Sequence, residues 1–248
     1  MKSFILKRTP MFLINYYRHF KRLRIQKQNL NRSSEEVFTD IYVKNKWGGK
    51  KGEFFSGFGS AHKELVSAYV SKIYEEASRE GFIGLTFVDL GCGDFRVGKQ
   101  LLPLCSTYIG VDVVKPLIQN NKAKYGNSTT HFIYLDIINE KLPDGEVCFI
   151  RQVLQHLSNQ QIILILQKLK KYQWVFITEH YPMDNNAIKP NMDKVHGADI
   201  RLHSNSGVYL TKIPFELPAQ SLKEVLEVPG ADGQNPGVIR TFLYKPLD

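Results

Sequence analysis

The strongest chemical signal in the sequence is a glycine-containing turn with a carboxylate on each side. The run 87–94, Phe-Val-Asp-Leu-Gly-Cys-Gly-Asp, leads a hydrophobic strand into Gly-x-Gly, and a helical pattern begins near Val97. Glycines let such a turn bend tightly and let a ligand approach without a Cβ in the way. Arg96 stands where a dinucleotide-binding turn has its third glycine. Because the acids would repel a pyrophosphate and attract an ammonium group, the turn predicts a ligand that carries an amino-acid moiety.

Acidic residues also end the next two predicted strands. Asp112 comes 21 residues after Gly91, at a position where a carboxylate can accept both ribose hydroxyls. Asp136 follows the third strand, where it can accept from an adenine amino group while Ile137 packs on the ring. S-adenosylmethionine is a nucleoside that bears an amino acid, and it fits acids at three successive strand ends. Taken singly, the glycines could serve only a turn, Asp112 could cap a helix and Asp136 could be a turn residue.

Apolar runs alternate with helical patterns through most of the chain after residue 82. The predicted strands are 85–90, 108–111, 131–135, 147–150 and 174–178. The clearest helix between them is 158–171, where Ser158 and Gln161 have capping-box spacing. This alternation predicts a parallel sheet covered on both faces. Segments 221–228 and 237–244 flank the turn residues 229–233 and predict a closing antiparallel hairpin.

The Asp-Leu-Gly-Cys-Gly-Asp run and the acid downstream resemble the class I S-adenosylmethionine-dependent methyltransferases over about residues 83–245. The resemblance implies an α/β fold: a Rossmann-like seven-stranded, mostly parallel sheet with a reversed final strand, plus an N-terminal helical cap. It divides the chain into a basic segment 1–33, a helical cap with a lid loop 34–82, and a methyltransferase domain 83–248. The expected cofactor-binding residues are Asp89, Gly91, Cys92, Gly93, Asp94, Asp112, Val113, Asp136, Ile137, Arg151 and Gln152.

A narrower resemblance concerns Trp47-Gly48, the glycine loop 56–60 and the run His156-Leu157-Ser158-Asn159. These look like a bacterial subgroup that is associated with surface-polysaccharide and sugar biosynthesis. The resemblance implies O-methylation of a sugar or glycan precursor. Methylation of another small metabolite, or binding of S-adenosylmethionine without transfer, are the alternatives. Trp47 and the glycine loop are expected to form a lid that the donor orders.

A hydroxyl acceptor must lose its proton during methyl transfer, so the site needs a base or a metal. No cluster with metal-ligand spacing follows the fourth strand, and we therefore predict a base and no metal. His156 comes just after that strand, and an ordinary histidine pKa near 6.5 suits proton uptake. The competing interpretation is that His156 packs in the fold or caps the next helix. His180, Arg201 and His203 are the predicted acceptor-binding residues, within or next to a polar loop 184–207.

The net charge of +9 belongs to the beginning of the chain. Residues 1–34 contain nine Lys or Arg and no acid, whereas the rest holds 24 basic and 24 acidic residues. A neutral body disfavours a nucleic-acid partner. Thr9-Pro10 predicts a helix start, and apolar positions 12, 13, 16, 17, 20 and 23 recur at helical spacing between basic ones. That helix could contact an anionic membrane peripherally, contact a partner, or pack on the body.

Composition excludes several classes of protein. The chain has 248 residues, 43% of them hydrophobic, which suits a globular body rather than a disordered one. Three cysteines cannot build a disulfide framework. The sequence has neither a membrane-spanning run nor the pattern of a cleavable signal, so we expect a cytoplasmic protein, with the inner membrane surface as a further possibility for residues 1–33.

Overall fold

A computed structural model of the chain describes residues 11–183, 187–230 and 237–247. The predicted helix start at Thr9-Pro10 and hairpin-turn residues 231–233 lie outside the described residues. Among these residues, four helices come before the first strand: α1 (Met11–Asn29), α2 (Ser34–Val43), α3 (Phe58–Ala61) and α4 (Lys63–Glu80). Two more, α5 (Lys115–Tyr125) and α6 (Asn159–Leu169), lie between strands.

The described strands form one seven-stranded sheet in the order β3-β2-β1-β4-β5-β7-β6. Its strands are β1 (Thr86–Leu90), β2 (Thr107–Asp112), β3 (Thr130–Tyr134), β4 (Val147–Arg151), β5 (Trp174–Pro182), β6 (Leu222–Pro229) and β7 (Gly237–Tyr244). The first five pair in parallel, and β7 runs antiparallel to both β5 and β6. This topology confirms the Rossmann-like fold with a reversed final strand.

Alternating residues of the strands fill two cores, one on each face of the sheet. Val88 and Ile150 belong to the core that α6 covers, whereas Phe87 and Phe149 belong to the core that α4 covers. The period of two residues follows from strand geometry. Both cores pack the sheet against its helices. The carboxyl ends of β1, β2, β3 and β4 therefore lie side by side at one edge of the sheet.

The predicted capping boxes exist. Ser33 begins α2 by accepting from the Glu36 N–H while the Glu36 carboxylate accepts from the Ser33 N–H, and Ser158 and Gln161 do the same for α6. Helix α4 ends at Gly81, whose φ of 75° gives the left-handed cap that glycine tolerates best. These caps fix ends of three helices, of which α2 and α4 contribute side chains to the pocket described below.

One predicted helix has a different form. The residues after the glycine turn make a 3₁₀ helix over Gly98–Leu104 rather than an α-helix beginning near Val97. Pro103 lacks an N–H group, and a Cβ on Gly98 would meet the Tyr108 hydroxyl at 2.0 Å. The segment is therefore a short, tightly packed connection to β2.

Helix α1 does not bury its apolar face. Five of its apolar residues, Leu13, Tyr16, Tyr17, Phe20 and Leu23, are 45–67% exposed. The interpretation in which this face packs on the body is therefore wrong for the described residues. No helix among the described residues is long and apolar enough to cross a bilayer.

Candidate active site

One pocket lies at the carboxyl edge of the sheet, where β1, β2, β3 and β4 end. All eleven predicted cofactor-binding residues and His156 line it. Helix α2 and the segment after it cover the pocket with Ser34, Phe38, Tyr42, Trp47 and Ser56. The sheet edge and the N-terminal helices therefore build the site together.

The glycine turn after β1 is held tightly in place. The N–H groups of Gly91 and Cys92 both donate to the Val111 carbonyl, at 2.8 and 2.9 Å. Gly91 has φ 77°, and a Cβ there would meet Val153 Cγ2 at 2.4 Å. Gly93 has φ 55° and is packed in the same way against the Ser56 side chain. No other residue type fits either position without strain, so the backbone itself forms this wall of the pocket.

Asp112 ends β2 beneath the turn. One carboxylate oxygen accepts from the Gly93 N–H at 3.2 Å and the other from the Val114 N–H at 3.0 Å. Burial raises the pKa of Asp112 to about 6. The N-cap of α5 is Val114, without a side-chain cap, so Asp112 does not serve as that helix's cap. Each oxygen keeps lone pairs for a ligand, since a carboxylate has about four acceptor sites.

Asp89 and Arg151 form the floor of the pocket beside each other. Asp89 accepts a hydrogen bond from the Tyr108 hydroxyl, and burial raises the pKa of Asp89 to about 6. Arg151 donates to the Gly59 carbonyl at 2.9 Å and lies over the Tyr69 ring. Its Nε atom is buried and has no acceptor among the described residues. A buried donor without a partner is costly and marks a place where a ligand group can bind.

Asp94 ties the glycine turn to the predicted lid. Its Oδ2 accepts from the Ser56 N–H at 3.1 Å, while the Asp94 N–H donates to Ser56 Oγ at 2.7 Å. Oδ1 accepts from the Arg96 N–H, and Arg96 also lies 3.5 Å from Oδ2 as an ion pair. Asp94 therefore lines the pocket with a carboxylate that already has several partners.

Asp136 combines the two roles that the sequence left open. It lines the pocket, and it also stabilises its own turn: Oδ1 accepts from the Ile138 N–H and Oδ2 from the Asn139 amide. Ile137 next to it is buried and lines the pocket from the same turn. Val113 and Leu135 continue this apolar wall.

Aromatic side chains from α2 and the following segment close over His156. The Trp47 ring lies 5.2 Å from the rings of both Tyr42 and His156, and Phe38 lies edge-on to His156 at 6.5 Å. The Tyr42 hydroxyl and Ser56 Oγ are 2.8 Å apart. The predicted lid residues thus contact the pocket, the glycine turn and the predicted base.

His156 is held as a neutral side chain. Its Nδ1 lies 3.1 Å from the Gly197 carbonyl, and since a carbonyl only accepts, Nδ1 carries the proton. Nε2 is then unprotonated and can accept a hydrogen bond, and it lies 3.5 Å from the Gln155 amide. Burial, helped by the nearby Lys194 charge, lowers the pKa of His156 to about 3. The expectation of an ordinary pKa near 6.5 is therefore wrong.

The turn that carries His156 is held from two sides by an acidic and a basic side chain. Glu179 on β5 is fully buried, and its carboxylate accepts from the backbone N–H groups of Val153, Leu154 and Gln155 at 2.8–3.1 Å. Arg201 donates to the carbonyls of Leu154 and Gln155 from the other side. Because this pair fixes residues 153–155 on both sides, it sets the position of His156.

The three predicted acceptor-binding residues lie away from the pocket. Arg201 is 2% exposed, and its donors are used by Met192, Asn159 and the turn just described. His180 is buried on β5 next to the β6–β7 hairpin, and His203 is exposed on a 3₁₀ helix, Arg201–Ser204. The structure thus gives no support to an acceptor site formed by these residues.

Replacing the Glu179 carboxyl group with an amide tests this arrangement. We expect Glu179→Gln to lower the free energy of unfolding by about 1–3 kcal/mol, since an amide offers one acceptor oxygen where the carboxylate offers two to the three N–H groups. Denaturant unfolding measures the change. The matched control is Glu64→Gln on the exposed side of α4, which should stay within about 0.5 kcal/mol of wild type. Equal stability of both variants would contradict the role given to Glu179.

Part of the chain that lines the pocket matches a known protein family. Residues 88–170 match a family model described as a methyltransferase domain. This range runs from β1 through α6 and contains both the glycine turn and the His156 turn. The chain contains a methyltransferase domain. No curated protein matches the chain.

Solved structures share the methyltransferase fold at low sequence identity. N-methyltransferase NodS from Bradyrhizobium japonicum, in complex with S-adenosylhomocysteine, has a TM-score of 0.55 at 13% identity, covering 83% of this chain and 98% of that one. Magnesium protoporphyrin IX methyltransferase from Synechocystis, with bound S-adenosylmethionine, has 0.53 at 14%, covering 86% and 98%. A Burkholderia thailandensis 1,6-didemethyltoxoflavin-N1-methyltransferase has 0.54 at 12%, covering 85% and 86%.

Several residues that line or brace the pocket are absent from the sequence-based prediction. Ser34, Phe38 and Tyr42 line the pocket from α2, and the apolar periodicity of that helix could have indicated that it packs on something. Asn121 is fully buried and donates to the Gly93 carbonyl at 2.8 Å, thereby bracing the turn from α5. No signal in the sequence distinguishes this asparagine from an exposed one. In the described part of the chain, no three His, Cys, Asp or Glu side chains are grouped so as to hold a metal ion.

Proposed function

We propose that the methyltransferase holds its S-adenosylmethionine donor against the glycine turn and transfers the methyl group to a hydroxyl of a sugar or sugar-like acceptor. The observation that carries the proposal is the convergence of three acidic strand ends and His156 on one pocket. Residues 34–82 act as its cap, with the lid over the same pocket. When bound, S-adenosylmethionine supplies an electrophilic methyl group on a positively charged sulfur.

The residues present fit the donor. Asp112 would hold the ribose hydroxyls, since both of its oxygens are fixed by backbone N–H groups and keep free lone pairs. The wall of Ile137, Val113 and Leu135 would hold the adenine ring. The Arg151 Nε without an acceptor would take the carboxylate of the amino-acid part, and Asp89 beside it would take the ammonium group.

Donor binding is expected to depend on pH. Because burial raises the pKa of both Asp89 and Asp112 to about 6, these acids lose their charge as the pH falls through that value. Each then loses its charge-assisted hydrogen bonds to the donor. We expect the affinity for S-adenosylhomocysteine to fall about tenfold for every pH unit below 6 for each acid that must be ionised. Calorimetric titration on both sides of pH 6 measures this, and equal affinity on both sides would contradict it.

The choice of a hydroxyl acceptor rests on His156. Nε2 of the neutral imidazole can accept a hydrogen bond from the hydroxyl group of the methyl-accepting substrate. That hydrogen bond would direct an oxygen lone pair of the hydroxyl away from the imidazole ring. Trp47 next to it offers an apolar ring face on which the C–H groups of a sugar can pack. Since the pKa of His156 is about 3, the imidazole orients the hydroxyl and does not retain the proton, which passes on to solvent.

A second candidate is an amine of another small metabolite. The neutral Nε2 of His156 can accept from an N–H as well as from an O–H. Two of the similar solved structures are methyltransferases that act on nitrogen. An amine that is deprotonated in solution needs no base, so orientation by His156 would suffice for this acceptor as well.

The test is methyl transfer from labelled S-adenosylmethionine to a panel of sugars, nucleotide sugars and small amines, read by mass spectrometry. With the wild-type chain we expect a product that is methylated on a hydroxyl group. With the Asp112→Ala variant we expect no such product. Methylation of amines alone would replace the sugar proposal with the second candidate. Donor binding without any product across the panel would overturn the proposal in favour of a protein that binds the donor only.

A further inference from the structure

Helix α1 presents an apolar, aromatic surface that the body does not use. Tyr16, Tyr17 and Phe20 are 51–67% exposed, and Leu13 and Leu23 are 45% and 47% exposed. Spacings of three and four residues place these five side chains on one side of the helix. We call this side the aromatic face. A contiguous exposed apolar surface of this kind marks an interaction site.

The body contacts the opposite side of the same helix. Asn29 is 6% exposed and donates to the His196 carbonyl at 3.1 Å, and Ile25 and Gln26 are half-buried. Asn29 follows Phe20 by about two and a half helical turns, so the two side chains point in opposite directions. The aromatic face is thus directed away from the sheet and its two cores. The packing of α1 on the body leaves this face available.

The charges beside the aromatic face all have one sign. Lys21, Arg24 and Lys27 are exposed, and the sequence has no acidic residue before Glu35. Basic side chains flanking an apolar helical face complement a surface that is apolar inside and anionic outside. Tyrosine also favours the boundary between headgroups and acyl chains, where its ring is in apolar surroundings and its hydroxyl is solvated.

We propose that α1 lies flat on an anionic membrane surface, with the aromatic face inserted among the lipids and the basic residues at the headgroups. The helix ends five residues before Ser34, which lines the pocket, so docking of α1 would place the pocket close to the bilayer. This proposal is independent of the donor chemistry, since no residue of the aromatic face lines the pocket.

The test is sedimentation of the full chain with vesicles of phosphatidylcholine alone and of phosphatidylcholine and phosphatidylglycerol in equal amounts. We expect binding to the anionic vesicles that weakens as salt is added. The triple variant Lys21→Gln, Arg24→Gln and Lys27→Gln should bind them about 100-fold more weakly, at about a factor of five per charge. Equal binding to both kinds of vesicle, or none to either, would overturn the proposal.

Matched variants separate this surface from a general effect of charge or hydrophobicity. The charge control neutralises Lys63, Lys122 and Lys124, which are exposed outside α1, and should bind like wild type. For the aromatic face, Tyr16→Ser with Phe20→Ser should lose about tenfold or more, whereas Ile83→Ser with Ile213→Ser should not.

The aromatic-face variant also tests the competing occupant, a second copy of the chain. We expect it to keep wild-type affinity for S-adenosylhomocysteine and an unchanged oligomeric state on size-exclusion chromatography. A wild-type dimer that becomes a monomer in this variant, together with weak vesicle binding, would overturn the proposal and assign the face to self-association.

Discussion

Asp112→Ala is expected to weaken the binding of S-adenosylhomocysteine by about 100-fold or more. The carboxylate is the buried group at the end of β2, and backbone N–H groups of Gly93 and Val114 already fix both of its oxygens. Two hydrogen bonds from ribose hydroxyls to a charged acceptor, at about 1.5–3 kcal/mol each, correspond to at least that factor. Isothermal titration of the purified variants measures it.

The comparison needs a variant that loses a carboxylate elsewhere. Asp144→Ala removes a side chain that is 87% exposed and pairs with Lys171, so it should bind the ligand like wild type. Asp112→Asn keeps one acceptor oxygen and should fall between Asp112→Ala and wild type. If Asp112→Ala folds normally and binds within about threefold of wild type, the assignment of Asp112 to the donor is incorrect.

His156→Ala is expected to lower kcat by about 100-fold while donor affinity stays within about twofold of wild type. The loss follows from removal of the Nε2 acceptor that orients the hydroxyl, since misplacing a reacting group by about 1 Å can lower the rate about 100-fold. Donor affinity should persist because Asp112, Ile137 and the glycine turn are untouched. Single-turnover rates with the acceptor found in the panel, and calorimetry with S-adenosylhomocysteine, measure the two quantities separately.

A second histidine serves as the control for this variant. His131 is exposed on β3 and lines no part of the pocket, so His131→Ala should leave both quantities unchanged. A proportional loss of kcat and donor affinity in His156→Ala would mean that His156 only packs under Trp47 and Phe38. That outcome would favour the interpretation in which His156 serves only to pack in the fold.

The fold and the floor of the site were predictable because they depend on local patterns. Alternating apolar runs predicted the strands, Gly91 and Gly93 predicted the turn, and acids at strand ends must meet at one edge of a parallel sheet. Capping boxes at Ser33 and Ser158 fixed the helix starts to within one residue. Each of these signals lies within a few residues of the feature that it specifies.

What could not be predicted depends on which distant segments meet. An arginine in a polar loop looks like an anion-binding group, yet Arg201 is buried because its donors reach the carbonyls of the His156 turn. His156 has a lowered pKa because α2 and Trp47 cover it. The residues next to His156 in the sequence do not indicate that these distant segments pack over it. The exposure of Tyr16 and Phe20 likewise depends on which side of α1 the body contacts.

The central claim is that this pocket binds S-adenosylmethionine. Titration of S-adenosylhomocysteine into the wild-type chain in a calorimeter tests it most directly. We predict a saturable heat at one ligand per chain, together with a rise in the midpoint of thermal unfolding as the ligand concentration increases. An absence of both heat and thermal stabilisation in folded protein would contradict the account.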